Sequence, residues 1–448
     1  MRINIPKGTR DFGPEEIYKR RYIFDTIQKY FERYGFAPIE TPAMENLDTL
    51  MGKYGDEGDQ LLFKVLNNGD FLAKVPGDLL EEKDSLGVTR HLARRGMRYD
   101  LTIPFARYAV MHRHELALPF KRYQIQPVWR ADRPQKGRYQ EFYQCDADVI
   151  GSDSLQYEAE FILLYDEVFS ELGIDTEIRV NNRKLLTALS EKVNAPDLLT
   201  DITTAIDKLD KIGKAEVGKI LANIGLSEEQ IQIIMDYLTI DTLEEMEKFF
   251  ENIPKGIEGI GEMKTIQELL KDKESTQEWY FDPTLARGLT YYTGTIIEVK
   301  PIGVDMGSIG GGGRYDNLTE LFGGEPMGGV GISFGAERIY DIMEELDLFK
   351  STGPEPPVLI LTLDDQFEEY GFNILHQLRK EGIRSDLYPS GDRMRKQMRY
   401  ANRIRAKYVI ILGSEEMEKK EIALRNMESG KQENVAIPVA IQMIKDKL

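Results

Sequence analysis

Two ten-residue runs constrain the fold more than any other feature of the chain. Residues 121–130 (KRYQIQPVWR) and 141–150 (EFYQCDADVI) read as strands, and the residues between them include Pro134 and Gly137. This pattern predicts an antiparallel hairpin. In the second run Phe142, Gln144, Asp146 and Asp148 fall on one face, with Tyr143, Cys145, Ala147 and Val149 on the other. In the first run Arg130 shares a face with Gln124, Gln126 and Val128. One face therefore reads as core, while the polar face would be costly to bury without a ligand. An arginine, a stacking ring and acceptor side chains on one floor suit an anionic ligand with an aromatic base, such as ATP. A sheet with a solvated charged face accounts for the same alternation equally well.

The rest of the chain divides by texture. Helical periodicity is predicted over 15–34, closed by Gly35 as a C-cap glycine, and again over 155–172. Residues 183–277 are charged, helix-favouring and without a strand-like run, as in a helical module inserted into something else. Strand-and-glycine texture resumes over 285–335, followed by a helix at 335–347. Three prolines then fall within residues 354–357, as in a stiff linker. Residues 358–448 alternate strand and helix, the texture of a compact α/β module.

Composition removes several classes of function. A length of 448 residues corresponds to about three domains. The net charge of −18 argues against a general polyanion-coating role, although local basic patches still allow nucleic-acid contact. One cysteine, Cys145, permits no intrachain disulfide, and with four histidines leaves too few ligands for a tetrahedral zinc site, so no metal site and no zinc are expected. The apolar runs are strand-sized and the N-terminus lacks the apolar core of a signal peptide; the expectation is a cytoplasmic protein with no membrane partner. There is no G-x-x-x-x-G-K-[ST], G-x-G-x-x-G or H-E-x-x-H.

Four further segments carry possible chemistry. Residues 328–338 (GGVGISFGAER) read as a strand entering a helix whose first turn holds Arg338, a phosphate site or a tightly packed turn with a surface ion pair. Residues 285–295 (LARGLTYYTGT) bring Arg287, Tyr291 and Tyr292 together, and 307–314 supply four consecutive glycines. Residues 98–107 (RYDLTIPFAR) offer Asp100 and Thr102, two polar groups on one strand face or a turn feature. Residues 393–407 hold seven basic and no acidic residues, with Met394, Met398, Ala401 and Ile404 forming one apolar face. Such a helix is either a solvated face or an RNA phosphate contact.

Taken together these segments resemble the histidyl-tRNA synthetase family of class II aminoacyl-tRNA synthetases along nearly the whole chain. PKGTRDFGPEE at 6–16 resembles the family's N-terminus, ERYGFAPIETPAMEN at 32–46 motif 1, a dimer-interface element, VWRADRPQKGRYQEF at 128–142 motif 2, and GGVGISFGAERI at 328–339 motif 3. LARGLTYYTGT at 285–295 resembles the signature of histidine-specific members. The family implies an α+β fold: a catalytic core with a six-stranded antiparallel sheet and flanking helices, a helical insertion and a C-terminal α/β anticodon-binding domain. On this chain the implied division is core over 1–182 and 278–348, insertion over 183–277, linker over 349–357 and anticodon-binding domain over 358–448.

The resemblance also implies roles. Arg130 would grip the α-phosphate of ATP and Arg338 the γ-phosphate, with Phe142 on the adenine and Arg138 near the pyrophosphate. Arg287 would act near the α-phosphate, where other class II enzymes place a metal. Arg130, Arg287 and Arg338 would thus be the catalytic set. Asp100, Thr102, Gln144, Asp148, Arg287, Tyr291 and Tyr292 would surround histidine. Arg133 and Gln135 would meet the acceptor end of tRNA, and Arg395, Arg399 and Arg403 would contact tRNA from the basic helix. Ala131 and Thr290 depart from the residues common in the family. The implied activity is ATP-dependent ligation of histidine to tRNA(His) by a homodimer, with Mg²⁺ accompanying ATP. The alternative is a synthetase-like, histidine-binding regulatory subunit of ATP phosphoribosyltransferase, which typically lacks the C-terminal domain and the ATP-site arginines.

Overall fold

The computed structural model describes residues 3–446 apart from Tyr54, residues 287–290, residues 350–356 and Ser390. It divides into two units, Met1–Thr352 and Gly353–Leu448.

The first unit is built on one eight-stranded sheet. Its order is Ala37–Pro38, Phe120–Trp129, Glu141–Ile150, Gly329–Gly335, Gly310–Arg314, Thr295–Pro301, Thr176–Asn182 and Glu278–Phe281. The six central strands are mutually antiparallel, and the short edge strands Ala37–Pro38 and Glu278–Phe281 pair in parallel. The expected six-stranded antiparallel sheet is therefore present, extended by one parallel strand at each edge.

The two faces of the hairpin have different fates. Tyr123, Cys145, Ala147 and Val149 join a core in which helices Pro14–Arg33, Gln156–Leu172 and Ala336–Glu345 cover one side of the sheet. Ile23, Ile27 and Phe31 of the first helix meet Phe161 and Phe169 of the second there, at helical spacing. Gly35, with φ +81°, turns the chain out of the first helix. The opposite face of the sheet carries the polar side chains and is covered only in part, by a smaller cluster around Leu50, Ile103, Phe105 and Tyr315.

Between Arg183 and Leu270 the chain is helical, as its texture predicts, and these helices share a core of their own centred on Leu185, Leu189, Tyr237 and Phe250. Tyr292 and Ile296 belong to that same core, so the module is packed directly onto the strand that follows the tyrosine pair.

The second unit has five strands in the order Ser385–Leu387, Val358–Thr362, Tyr408–Leu412, Glu421–Asn426 and Gln432–Ala436. The first three are parallel and the last two antiparallel. The alternating texture predicts the parallel strands and their helices. The closing antiparallel hairpin is additional to that expectation, because its strands are short and mostly polar. Met394, Met398 and Ala401 of the helix Met394–Arg403, with Ile404 just beyond it, pack inward beside Leu359 and Val409, while Arg395, Arg399 and Arg403 are exposed.

Candidate active site

Strand register explains how the polar face becomes a site. Phe142, Gln144, Asp146 and Asp148 project into a cavity of about 340 Å³, walled by Arg130, Tyr99, Asp100 and Thr102 on one side and by Gly310–Gly312, Gly331 and Ser333 on the other. Arg138, Tyr291, Tyr292 and Arg338 line the same cavity. Each side chain assigned above to ATP or histidine, Arg287 excepted, therefore converges on one space. Arg287 lies outside the described residues, as does Thr290.

Each wall has a local cause. Arg130 follows the strand Phe120–Trp129; its Nε donates to the Tyr99 carbonyl at 3.0 Å and its Nη2 to Gln144 Oε1 at 3.1 Å. Its guanidinium lies 4.2 Å from the Tyr99 ring centroid and 5.1 Å from that of Phe142. Arg338 sits in the first turn of Ala336–Glu345, where helix-end N–H groups favour anions. Its Nε donates to the Gly137 carbonyl at 2.8 Å and its Nη1 to that of Ser308 at 2.6 Å. The neighbouring Glu337 accepts from Arg20 Nη1 at 2.5 Å and from Arg10, so the N-terminal segment is fastened to this helix. Gly8 accepts from the Gln140 N–H at 2.8 Å, tying the same segment to the end of the 131–140 loop.

Two glycines are required by approach distance. A Cβ at Gly312 would stand 2.0 Å from the Gly331 carbonyl oxygen, and one at Gly331 would stand 2.0 Å from Asp148 Oδ1. The glycine run thus forms a strand, Gly310–Arg314, rather than a turn, and leaves open a cavity that side chains would fill.

The floor is ionisable and buried. Asp148 is paired in register with Arg122, and Arg122 Nη2 lies 2.7 Å from Asp148 Oδ2. Tyr315 donates its hydroxyl to Asp148 Oδ1. Burial pushes the Asp148 carboxyl above the usual carboxylate range, while Arg122 and Tyr315 pull it back. Asp146 is raised to about 7: burial dominates, Arg122 opposes it, and Asp148 adds repulsion. Burial also pushes the Cys145 thiol up, as befits a core cysteine on the other face.

The structure corrects one local expectation. Asp100 and Thr102 do not share a strand face: Thr102 is the first residue of the helix Thr102–Met111, and Asp100 Oδ1 accepts from the Ile103 N–H at 3.1 Å. Pro104 explains this, since proline is tolerated in the first helical turn, where its missing N–H would have no partner. Tyr291 and Tyr292 likewise precede the strand Thr295–Pro301 rather than lie in it. Arg133 and Gln135 are exposed on the 131–140 loop, outside the cavity wall. Sequence reasoning missed Arg122, Tyr315 and Ser333. Even-numbered parity with Arg130 places Arg122 on the site face, a signal available in the sequence; Tyr315 and Ser333 become neighbours only through the sheet order.

An antiparallel sheet with an arginine from a strand-turn, an arginine from a following helix and an aromatic ring lining one cavity is the catalytic core of a class II aminoacyl-tRNA synthetase. Comparison with known proteins narrows this. A family model described as histidyl-tRNA synthetase matches residues 90–339, and one described as an anticodon binding domain matches residues 357–447. A histidine–tRNA ligase of Porphyromonas gingivalis is 51% identical over 438 residues, covering 96% of this chain and 96% of its own. That of Christiangramia forsetii is 50% identical over 441 residues, covering 96% and 97%. The crystal structure of histidyl-tRNA synthetase from Nostoc sp. PCC 7120 matches with a TM-score of 0.81 at 30% identity over the whole of both chains. The chain belongs to the histidyl-tRNA synthetase family. The regulatory-subunit alternative is not favoured: the second unit is present, and Arg130 and Arg338 both stand in the cavity.

Proposed function

We propose that this cavity is where the chain activates histidine with ATP, giving histidyl-adenylate and pyrophosphate, before the histidyl group passes to tRNA. The overall activity is that of a histidine–tRNA ligase, and ATP is its nucleotide substrate. The observation that carries the assignment of the cavity is the convergence of Arg130, Arg338 and Phe142 with the buried Asp148 in one space.

The substrate carboxylate attacks the α-phosphorus of ATP and pyrophosphate leaves in line, so no activated protein nucleophile is needed. Catalysis is positioning and neutralisation of phosphate charge. Arg130 serves the α-phosphate, Arg338 the γ-phosphate, Arg138 the pyrophosphate, and the Phe142 ring the adenine. Arg287 acts near the α-phosphate on the strength of the family resemblance. Mg²⁺ enters as part of the ATP substrate, held mainly by its phosphates. Among the described residues there is no group of three or more histidine, cysteine, aspartate or glutamate side chains placed to hold a metal.

Asp148, Gln144, Asp100, Thr102, Tyr291 and Tyr292 receive histidine. A pocket that pairs polar groups with the imidazole rejects a wrong ligand by leaving those groups unsatisfied, worth about 10⁴–10⁵ in selectivity. The exposed Arg133 and Gln135 on the loop, and Arg395, Arg399 and Arg403 on the basic helix, supply contacts to tRNA(His). The divisions 1–182, 183–277, 278–348 and 358–448 serve as core, insertion, core and anticodon-binding domain, joined to the last by the linker 349–357. The enzyme works as a cytoplasmic homodimer, with residues 32–46 at the dimer interface. Among the described residues no helix is long and apolar enough to cross a membrane.

ATP–pyrophosphate exchange measured with each of the twenty amino acids tests the reading. Exchange dependent on histidine is expected; equal exchange with glutamine or phenylalanine would overturn it.

A further inference from the structure

We infer that Asp146 is a positioning residue for histidine, which together with Ser333 fixes the end of the Gln144 amide that faces the substrate. The inference rests on the cavity being the histidine site. Gln144 Oε1 accepts from Arg130 Nη2 at 3.1 Å, and Gln144 Nε2 donates to Ser333 Oγ at 3.0 Å and to Asp146 Oδ1 at 3.3 Å. A guanidinium can only donate and a carboxylate can only accept, so the amide has a single orientation that satisfies both. Ser333, opposite Asp146 in register, also hydrogen-bonds to its carboxyl. Asp146 is 2% exposed and Gln144 9%, so water does not compete for these bonds.

The amide oxygen held beside Arg130 is then an acceptor for a cationic donor on the amino acid. The setting depends on Asp146 remaining charged. Arg122, on the adjacent strand, favours the charged form, whereas Asp148 on the same strand and Asp100 in the turn before Thr102 oppose it. Arg98 is a further cation coupled to this carboxylate. A protonated Asp146 would present a hydroxyl to the amide and allow it to turn. Its NH₂ would then face both Arg130 and the substrate cation, which is a mismatch. Histidine affinity suffers, while Arg130 keeps its anchor on the Tyr99 carbonyl and ring, so ATP binding and the chemical step do not.

The test uses the full-length chain in histidine-dependent pyrophosphate exchange, comparing wild type, Asp146→Asn and Ser333→Ala between about pH 6 and about pH 8.5. Histidine titrates in the same range, so the readout is the ratio of variant to wild-type KM at each pH, in which the substrate's own ionisation cancels. Asp146→Asn should raise the histidine KM about tenfold near pH 8, with kcat and the ATP KM changed by less than about twofold. The ratio should fall towards one near pH 6, where wild-type Asp146 is itself neutral. Ser333→Ala, which removes a donor from the carboxylate, should shift the acid-side rise in histidine KM to higher pH than in wild type. A ratio independent of pH, an ATP KM that rises in step, or an unshifted Ser333→Ala profile would overturn the inference. Wild-type exchange supported equally by another amino acid would instead overturn the assignment of the pocket.

Discussion

Arg122 and Asp148 stand directly opposite each other on adjacent strands, with Nη2 2.7 Å from Oδ2 and side chains 0% and 3% exposed. The Arg122 guanidinium also lies 4.3 Å from the Phe105 ring centroid. A buried carboxylate lining the cavity is thus paired with a cation that does not itself line it. This one pair joins the register of the sheet to the chemistry of the pocket.

Removal of that cation should be severe. Arg122→Leu leaves Asp148 and Asp146 buried without their main counter-charge. Breaking a buried pair from one side costs about 3–5 kcal/mol. Urea unfolding should show a loss of that order, and a change below about 1 kcal/mol, as for an exposed pair, would show that the ion pair does not carry the floor.

Tyr315→Phe should separate histidine binding from ATP binding. The hydroxyl donates to Asp148 and lies deep in the cavity wall. Its loss leaves a charged acceptor short of one donor, at a cost of about 1–3 kcal/mol. A raised histidine KM with the ATP KM unchanged is expected in exchange assays. An equal rise in both constants would place Tyr315 elsewhere in the mechanism.

Gly331→Ala tests the approach distance. The added Cβ would meet Asp148 Oδ1 at 2.0 Å, and that carboxylate cannot retreat from Arg122 and Tyr315 without losing both. Histidine-dependent exchange should fall by more than about a hundredfold, on the scale of a displacement of about 1 Å in a reacting geometry. Near-normal exchange would mean that the strand Gly329–Gly335 yields instead.

Much of this was legible in the sequence, for a physical reason. Alternation along 141–150 assigns each side chain to a face, and both the core residues Cys145, Ala147 and Val149 and the cavity residues Phe142, Gln144 and Asp148 follow from it. Local rules fail where partners are remote. Tyr315 reaches Asp148 across 167 positions, and Glu337 meets Arg10 across 327. For Asp100 and Thr102 the sequence leaves a strand face and a turn open, because the alternation of RYDLT does not reveal that the chain turns into a helix at Thr102. The basic helix was legible over Met394–Arg403, since Met394, Met398 and Ala401 pack inward at helical spacing whatever the sheet beneath them.

Asp146 should cost stability in exchange for its role. Its folded pKa of about 7 stands above the ordinary 3.8. Between those values the folded chain holds a proton that the unfolded chain has released, so this group's contribution falls as pH rises through the window. Asparagine is neutral throughout and escapes the loss. Asp146→Asn should therefore raise Tm, with a gain that grows from about pH 5 to about pH 7 and then levels off. A gain that shrinks with rising pH would contradict a carboxyl held neutral by burial.

The two steps of the reaction should come apart when the chain is cut between its units. The cavity with Arg130, Arg338 and Asp148 lies wholly within Met1–Thr352, while Arg395, Arg399 and Arg403 lie in Gly353–Leu448. Each unit has its own apolar core. A chain ending at Thr352 should keep histidine-dependent pyrophosphate exchange, because adenylation needs no contact with tRNA. Transfer to tRNA should fall steeply, since the exposed arginines of the basic helix are the proposed phosphate contacts, which would strengthen binding without chemistry. In the full-length chain, replacing Arg395, Arg399 and Arg403 together should weaken tRNA binding, reduce its salt dependence, and leave exchange untouched. Circular dichroism and sedimentation of the truncated chain distinguish lost recognition from a collapsed fold. A folded truncation that charges tRNA at the full-length rate would remove the second unit from tRNA recognition, and a triple variant with the wild-type salt slope would remove this helix from the tRNA contact.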